Sequence, residues 1–190
     1  MERKYVEDKE FEQIDFAESP LGEADYDNCA FINCNFSGTD LSKINFSECA
    51  FKGCNLSIVK LKNTVFNDVK FKDCKLLGLH FEDCNKFLLT VSFENCNLNL
   101  SSFYKVNLNK TIFKNTSLNE VDFTETNLTS ALFDNCNLLL ATFVGAILEK
   151  ADLRTAYSYS IDPEINRIKK ARFSTNGIAG LLNRYDITIE

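Results

Sequence analysis

The stretch that decides the fold is residues 26–56, which read YDNCA-FINCN-FSGTD-LSKIN-FSECA-FKGCN-L. A large apolar side chain recurs at every fifth position. Beyond this stretch, the series is unbroken over 15 positions from Phe11 to Phe81, shifts by two residues, and continues over 13 positions from Phe93 to Leu153. A period of five fits neither the 3.6 of a helix nor the 2 of a strand, so the chain must turn every five residues.

The other positions of the five-residue unit are restricted too. The position two before each large residue, which we call the small slot, is mostly Ala, Cys, Thr, Val or Ile. Asp or Asn often directly precedes the large residue, and both residue types suit turn geometry. Four of the seven glycines lie two positions after a large residue, where a turn needs φ freedom: Gly38, Gly53, Gly78 and Gly145.

Triplets such as Ala24-Asp25-Tyr26, Cys54-Asn55-Leu56 and Ala151-Asp152-Leu153 resemble the A(D/N)LXX motif of the pentapeptide-repeat family. The resemblance covers roughly residues 9–155. It implies an all-β fold, a right-handed quadrilateral β-helix with four pentapeptides per coil and with the large and small residues pointing inward. The 28 large positions then give about seven coils, and a spacing of ~4.8 Å per layer makes the rod on the order of 34 Å long.

We expect two parts, a repeat β-helix over residues 1–156 and a C-terminal tail over residues 157–190. In the tail, Asp162-Pro163 predicts a helical turn and residues 171–173 one more repeat face, while Asn176 predicts the cap of a second short helix. Residues 187–189 alternate like a final strand. An open β-helix end must be covered or paired, so we interpret the tail as a cap, a dimer contact or both. Its candidate dimerisation residues are Ile178, Leu181, Leu182, Tyr185, Ile187 and Ile189.

The two-residue shift lies between Phe81 and Phe93. It predicts a bulge within residues 85–87, with Leu88 filling the inward position that would otherwise be vacant. The bulge is either an accommodated insertion or a feature that contacts a partner.

The composition offers little material for catalysis or for a cofactor. The chain has one histidine, His80, in an outward slot with no evident partner for a triad or a metal site. A filled rod has no cleft to separate the pKa values of two carboxyl groups, and no Gly-rich phosphate loop precedes a helix. All eight cysteines lie in the small slot, which indicates core thiols, with metal or redox use as the alternative. We therefore predict a protein that is not an enzyme and binds no cofactor or metal.

Charge, the lack of a long apolar segment and the cysteines together predict a cytoplasmic location. The first ten residues carry seven charges, and no later stretch has the ~18 unbroken apolar residues that a membrane span needs. Reduced thiols agree with a cytoplasmic setting.

Charge is unevenly distributed along the chain, whose net charge is −6. Residues 10–42 contain eight acids and residues 115–149 contain five, and neither segment has a lysine or arginine. Residues 43–114 carry eleven bases against six acids. Such runs are either solvated faces or parts of a binding surface.

Within the family, the chain is similar to the Qnr-type quinolone-resistance and microcin B17 protection proteins in size, acidity and tail sequence. That resemblance implies a dimeric rod that mimics duplex DNA and binds DNA gyrase or topoisomerase IV, without contacting nucleic acid or membrane itself. The alternative is a scaffold that binds an unrelated protein. The candidate contacts of a mimic are the acids of the two base-free runs that fall on or beside one predicted face: Glu18, Glu23, Asp40, Glu120, Asp122 and Glu125.

Overall fold

The computed structural model describes residues 3–188, which form a parallel β-solenoid. Its strands are β1 Tyr5–Glu7, β2 Glu10–Glu12, β3 Asp25–Asp27, β4 Ala30–Ile32, β5 Asn45–Ser47, β6 Ala50–Lys52, β7 Val65–Asn67, β8 Val69–Lys72, β9 Val91–Glu94, β10 Ile112–Lys114, β11 Leu132–Asp134, β12 Asp152–Leu153 and β13 Arg172–Phe173. Short 3-10 helices span Phe81–Asp83, Lys86–Leu88, Thr175–Leu181 and Asn183–Tyr185. Within residues 3–188, no helix is long and apolar enough to cross a membrane.

Each coil has four faces, numbered here from the large residues of the first complete coil. Face 1 starts at Phe11, face 2 at Phe16, face 3 at Leu21 and face 4 at Tyr26. Face 1 is the nine-stranded sheet β2-β4-β6-β8-β9-β10-β11-β12-β13, and face 4 contains the four-stranded sheet β1-β3-β5-β7. Isolated parallel bridges join the layers of faces 2 and 3 and the later layers of face 4. The predicted β-helix is confirmed, and it has about eight turns because layers before Phe11 and after Leu153 extend the series.

The interior is filled by the large residues of the repeat. All 28 predicted positions except Phe11 and Leu21, which are half-buried, are buried. On face 1 the phenylalanines stack layer upon layer, with ring centroids 4.7 Å apart for Phe31 and Phe51 and 5.4 Å apart for Phe71 and Phe93. A second stack, Phe81-Phe103-Phe123-Phe143, fills the upper part of face 3. Rings on different faces meet edge to face, as Phe113 on face 1 and Phe123 on face 3 do across the interior, so two ring geometries hold one core.

The corners of the coil are left-handed. The residue two after each large residue has a positive φ at nearly every corner, including the four predicted glycines, whose φ values lie between 65° and 70°. Asn side chains suit this geometry and form a ladder along one corner, where Asn115 donates to Asn95 at 3.1 Å and Asn135 donates to Asn115 at 2.9 Å. At Gly53 the carboxamide of Asn33 occupies the space that a side chain would need.

The cysteines are core residues, as predicted. All eight are buried and free. Seven of the thiols donate to backbone carbonyls of the preceding layer, as Cys54 does to Phe31 at a sulfur–oxygen distance of 3.2 Å. Burial raises the pKa of Cys49 and of Cys136 to about 12, so these thiols are protonated at neutral pH.

The insertion differs from its prediction in one respect. Asn85 keeps the 20-residue register, because its amide donates to Thr64, while Val91 pairs with Val69 at a separation of 22. The chain between them forms a 3-10 turn, Lys86–Leu88, that projects Phe87 into solvent. The prediction that Leu88 fills the inward position is wrong, since Leu88 is 49% exposed and Leu89 is buried instead. The inserted turn therefore extends one residue further along the chain than predicted.

The solenoid ladder continues into the predicted tail. Tyr157 bridges to Asn137, Arg167 bridges to Ile147, and β13 pairs with β12, which confirms one more repeat face at residues 171–173. Pro163 and its neighbours form a turn, in which the Asp162 carboxylate accepts a hydrogen bond from the Glu164 amide at 2.9 Å.

The last residues fold over the end of the rod. Ser174, rather than the predicted Asn176, caps the helix Thr175–Leu181 by accepting from the Gly177 amide at 3.0 Å. The predicted final strand does not form at Ile187 and Thr188, which follow the left-handed residue Asp186, because a left-handed residue interrupts the extended backbone of a strand. Ile189, the last residue of that prediction, lies outside the described residues.

Candidate protein-interaction site

The six acids singled out from the sequence lie on face 3 or at its two edges. Asp40 and Asp122 occupy the same position of the repeat unit on face 3, where Asp40 bridges to Lys60 and Asp122 bridges to Ser102. Glu18 and Glu120 lie at the corner shared with face 2, and Glu23 and Glu125 lie at the corner shared with face 4. All are exposed except Asp122, which is half-buried. The fold therefore gathers the six acids on one side of the rod.

The acids form two clusters separated along the rod axis. The lower cluster is Glu18, Glu23 and Asp40, and the upper cluster is Glu120, Asp122 and Glu125. Four layers separate Asp40 from Asp122, which is about 19 Å at the spacing of β-strands. Because each carboxylate is attached to a solenoid layer, the two clusters are held at a fixed separation.

Local hydrogen bonds orient the acids of the shared ladder. Asp40 accepts from the Ser42 amide at 2.9 Å, and the hydrogen bonds from the Ser42 side chain and amide hold the pKa of Asp40 below its usual range. Asp122 accepts in the same way from the Thr124 amide at 2.8 Å. Both carboxylates are therefore fixed close to the backbone, with their remaining lone pairs directed to solvent.

The basic middle of the chain separates the two clusters, as the sequence predicts. Lys60 lies on face 3 between them, and Lys43 and Lys105 lie at the corner shared with face 4, between Glu23 and Glu125. Lys105 pairs with Glu125 at 3.5 Å, and its pKa is raised by the neighbouring Tyr104 hydroxyl and by the Glu125 charge. Within residues 3–188, Glu125 is the one acid of the six that forms an ion pair, so five carboxylates remain open to a partner.

The residues proposed for dimerisation differ in how far they are exposed. Ile178, Tyr185 and Ile187 are exposed at the end of the rod, whereas Leu181 and Leu182 are half-buried and Leu181 packs against the core. Tyr185 donates its hydroxyl to Glu164 at 2.7 Å, which ties the last helix to the turn below it. The same segment therefore caps the solenoid and leaves an apolar surface exposed.

The described part of the chain has no cluster of side chains that would form a metal site. No group of three or more His, Cys, Asp or Glu side chains converges there in an arrangement that would hold a metal ion. His80 is exposed on face 3 and its Nδ1 lies 3.0 Å from the Glu82 carboxylate. What the site offers is a patterned array of charges on a rigid surface.

The bulge predicted within residues 85–87 carries Phe87, whose side chain is 98% exposed. Sequence reasoning missed one surface feature, a row of exposed aliphatic residues along the corner between faces 2 and 3. The five-residue period contained the signal for that row, because Ile58, Leu100 and Leu140 occupy the corner position that elsewhere holds Gly or a polar or charged residue.

Solved structures similar to this chain share the fold. HetL, a pentapeptide repeat protein involved in heterocyst differentiation regulation in the cyanobacterium Nostoc, is 18% identical with a TM-score of 0.70, over 90% of this chain and 87% of HetL. QnrB1, a plasmid-mediated fluoroquinolone resistance protein, is 19% identical with a TM-score of 0.48, over 96% of this chain and 100% of QnrB1. No curated protein sequence shows significant similarity to the chain. At 18% identity, the match to HetL supports the fold alone.

The family assignment comes from the repeat sequence itself. The description "Pentapeptide repeat region" applies to the family that matches residues 24–87 and 86–156, which together cover most of the solenoid. The match includes the inserted turn and ends just before the last coil. The chain therefore belongs to the pentapeptide repeat family.

Proposed function

We propose that this chain is a non-catalytic interaction rod that binds a basic, DNA-binding surface of a protein partner, with DNA gyrase or topoisomerase IV as the concrete candidate. The observation that carries the proposal is the placement of two acidic clusters on one face of a rigid solenoid, about 19 Å apart. A surface that binds DNA recognises negative charges at fixed separations, and carboxylates attached to solenoid layers supply them. The rod acts as a competitor of DNA in this scheme.

Binding of this kind requires little rearrangement of the rod. The five carboxylates without an ion pair already face solvent, and two of them are oriented by backbone amides. Charge complementarity then raises the association rate and selects basic partners over acidic ones. Since charges near a protein surface are screened by salt, the affinity must fall as ionic strength rises.

The proposed binding to gyrase is tested by measuring supercoiling and DNA cleavage by gyrase from the same organism. The assay is run with and without a fluoroquinolone, at about 50 and about 200 mM salt. We expect the protein to inhibit supercoiling or to reduce drug-induced cleavage, and the effect to weaken at the higher salt concentration. No effect at micromolar protein at either salt concentration would contradict the gyrase assignment.

We further propose that the rod is a homodimer joined through the exposed residues of its C-terminal segment. Ile178, Tyr185 and Ile187 present apolar surface beyond the last coil, where a second copy would continue the rod. Such a dimer would double the number of acidic clusters. Sedimentation equilibrium at micromolar concentration tests it, and a monomer at all concentrations would remove this part of the proposal.

A second candidate function is supported by the basic middle of face 3. Lys43, Lys60 and Lys105 interrupt the negative surface that a mimic of duplex DNA would present. A scaffold for an unrelated protein with a matching alternation of charge fits that pattern. Failure of the gyrase assay together with retained binding to a partner from the same organism would favour this scaffold.

A further inference from the structure

The corner between faces 2 and 3 carries a row of exposed aliphatic side chains, which we call the aliphatic edge. Its members are Ile58, Leu100 and Leu140, which are 63%, 54% and 71% exposed. Leu77 and Leu139 lie beside it on face 2 and are also exposed. Exposed aliphatic residues contribute little to folding, so this row is not explained by the core.

The backbone of the aliphatic edge makes these residues more unusual. Ile58, Leu100 and Leu140 have φ values of 53°, 62° and 57°. Among the positive-φ residues of the described chain they are the only aliphatic ones, and Asn, Asp, Gly, Ser, Gln, Lys or Glu fill the rest. Aliphatic side chains, and β-branched ones above all, are poorly suited to the left-handed conformation. Three residues on one edge are thus both strained and exposed, which is typical of positions kept for binding.

The spacing along the edge points to the shape of the ligand. Gly78 lies between Ile58 and Leu100, and Glu120 lies between Leu100 and Leu140, so the aliphatic residues occur at every second layer. Two layers correspond to about 9.6 Å. Seven residues of an α-helix rise about 10.5 Å, and a helix inclined by about 24° to the edge matches the two repeats, close to the ~20° crossing that is common for packed helices.

The surface beside Gly78 provides room for such a helix. A Cβ atom at Gly78 would lie 3.4 Å from Cγ2 of Ile58, so the absence of a side chain there leaves a gap in the row. That gap opens into a groove of about 450 Å³ whose lining includes the apolar residues Ile58 and Leu61 and both charge signs, from Lys60, Lys62, Asp40 and Asp83. Lys60 on the face 3 side and Lys75 on the face 2 side are both exposed. Lysines therefore flank the edge on both sides and favour an apolar residue that has acids beside it.

We propose that the aliphatic edge docks an amphipathic α-helix of a partner protein, with apolar residues at heptad spacing and acidic residues flanking the part that lies over Gly78. The helix lies along the rod, and its apolar residues contact Ile58, Leu100 and Leu140. This proposal differs from the gyrase proposal in its chemistry, because apolar contacts and lysines carry the binding, although Glu120 of the upper acidic cluster lies on the same edge.

The test uses the full chain and a fluorescein-labelled helical peptide of about three heptads, with leucines at heptad spacing and glutamates beside them. The variant Ile58→Asn/Leu100→Asn/Leu140→Asn removes the apolar contacts and installs a residue that tolerates the left-handed corner. We expect saturable binding to the wild-type chain, at least tenfold weaker binding to the triple variant, and an unchanged or higher melting temperature of the variant. Loss of binding then cannot result from unfolding.

Two controls test whether binding is specific to the aliphatic edge and to heptad spacing. Ile112→Asn changes an exposed residue on face 1, across the rod, and must leave binding unchanged. A peptide of equal composition whose leucines are out of heptad register must bind at least tenfold more weakly than the heptad peptide. Equal binding of the peptide to the wild-type chain and the triple variant, or no saturable binding up to about 500 μM, would overturn the proposal. Self-association of the wild-type chain that the triple variant abolishes would assign the edge to a second copy and would also overturn it.

Discussion

The interior of the rod and its C-terminal cap are held together by different interactions. In the rod, phenylalanine rings stack at about the layer spacing and are fully buried, as Phe51 is between Phe31 and Phe71. In the cap, side chains are at most half-buried, and the Arg184 guanidinium pairs with Asp162 at 2.6 Å and with Glu164 at 3.1 Å. The difference indicates that the rod depends on packing, whereas the cap depends on exposed charge pairs and a few apolar contacts.

The largest effect is expected inside the rod. Phe51→Asp removes a buried ring, which costs about 3–5 kcal/mol, and places an unpaired carboxylate among stacked phenylalanines, which adds several kcal/mol more. We expect this variant to be unfolded, as measured by circular dichroism and urea denaturation. As its control, Ile112→Asp changes an exposed residue of the same face and should lower the free energy of unfolding by less than about 1 kcal/mol. A cooperative melt of Phe51→Asp like that of the wild type would show that the inward register is incorrect.

Alkaline pH should weaken the rod through its buried thiols. Burial raises the pKa of Cys49 and Cys136 to about 12 in the folded chain, whereas an unfolded cysteine ionises near its ordinary value of about 8.5. The unfolded state therefore gains a thiolate first, and stability is present below about pH 8.5 and declines as pH rises toward 12. Each thiol should lower the free energy of unfolding by about 1–2 kcal/mol at about pH 10.

Urea denaturation between pH 7 and pH 10 measures this decline. The double variant Cys49→Ala/Cys136→Ala, compared with itself at the two pH values, should show a smaller decline than the wild type because two of the thiols are gone. An equal decline in both proteins would show that these thiols do not control the alkaline stability.

The smallest effect on stability is expected at the cap, at acidic pH. The Glu164 amide, and after it the Arg184 guanidinium, hold the pKa of Asp162 below its usual range. A carboxyl group with a lowered folded pKa contributes stability above its unfolded pKa, about 3.9, and this is lost as pH falls through the folded value. The cap should therefore loosen below about pH 4 while the rod stays folded.

Methyl NMR spectra of Ile178 and Leu181 between pH 7 and pH 2.5 report on the cap separately from the rod. In Asp162→Asn these signals should already be shifted at pH 7 and should titrate less. If the signals of cap and rod change together in the wild type, the cap is not an independent unit of stability.

Periodicity explains which parts of this fold the sequence predicts. The inward positions follow from the five-residue period alone, because each coil repeats the same constraint, and so Phe51, Cys54 and Gly53 lie where the pattern predicts. The inserted turn breaks the period, and local sequence could not distinguish Leu88 from Leu89 as the inward residue. At the cap, Ser174 and Asn176 are both good capping residues, so the sequence alone could not decide between them.

The candidate site was predictable in its composition but not in its detail. The base-free runs and the 20-residue coil place Glu120, Asp122 and Glu125 around face 3 without coordinates. The ion pair between Glu125 and Lys105 could not be predicted in this way, because it depends on the conformations of side chains one layer apart. The strained conformation of Leu100 likewise appears only when backbone angles are known.

The most direct test of the proposed function is the affinity of the purified chain for gyrase, measured by calorimetry at about 50 and about 200 mM salt. One variant neutralises the face 3 acids Glu18, Glu23, Asp40, Glu120, Asp122 and Glu125 as Gln or Asn. A matched variant neutralises the same number of acids on faces 1 and 4: Glu7, Glu10, Glu12, Glu48, Asp68 and Asp134.

We predict salt-sensitive binding of the wild type, at least tenfold weaker binding of the face 3 variant, and a change of no more than about twofold in the matched variant. Equal losses in the two variants, or no binding by the wild type at micromolar concentration, would contradict the claim that the acidic clusters of face 3 bind gyrase.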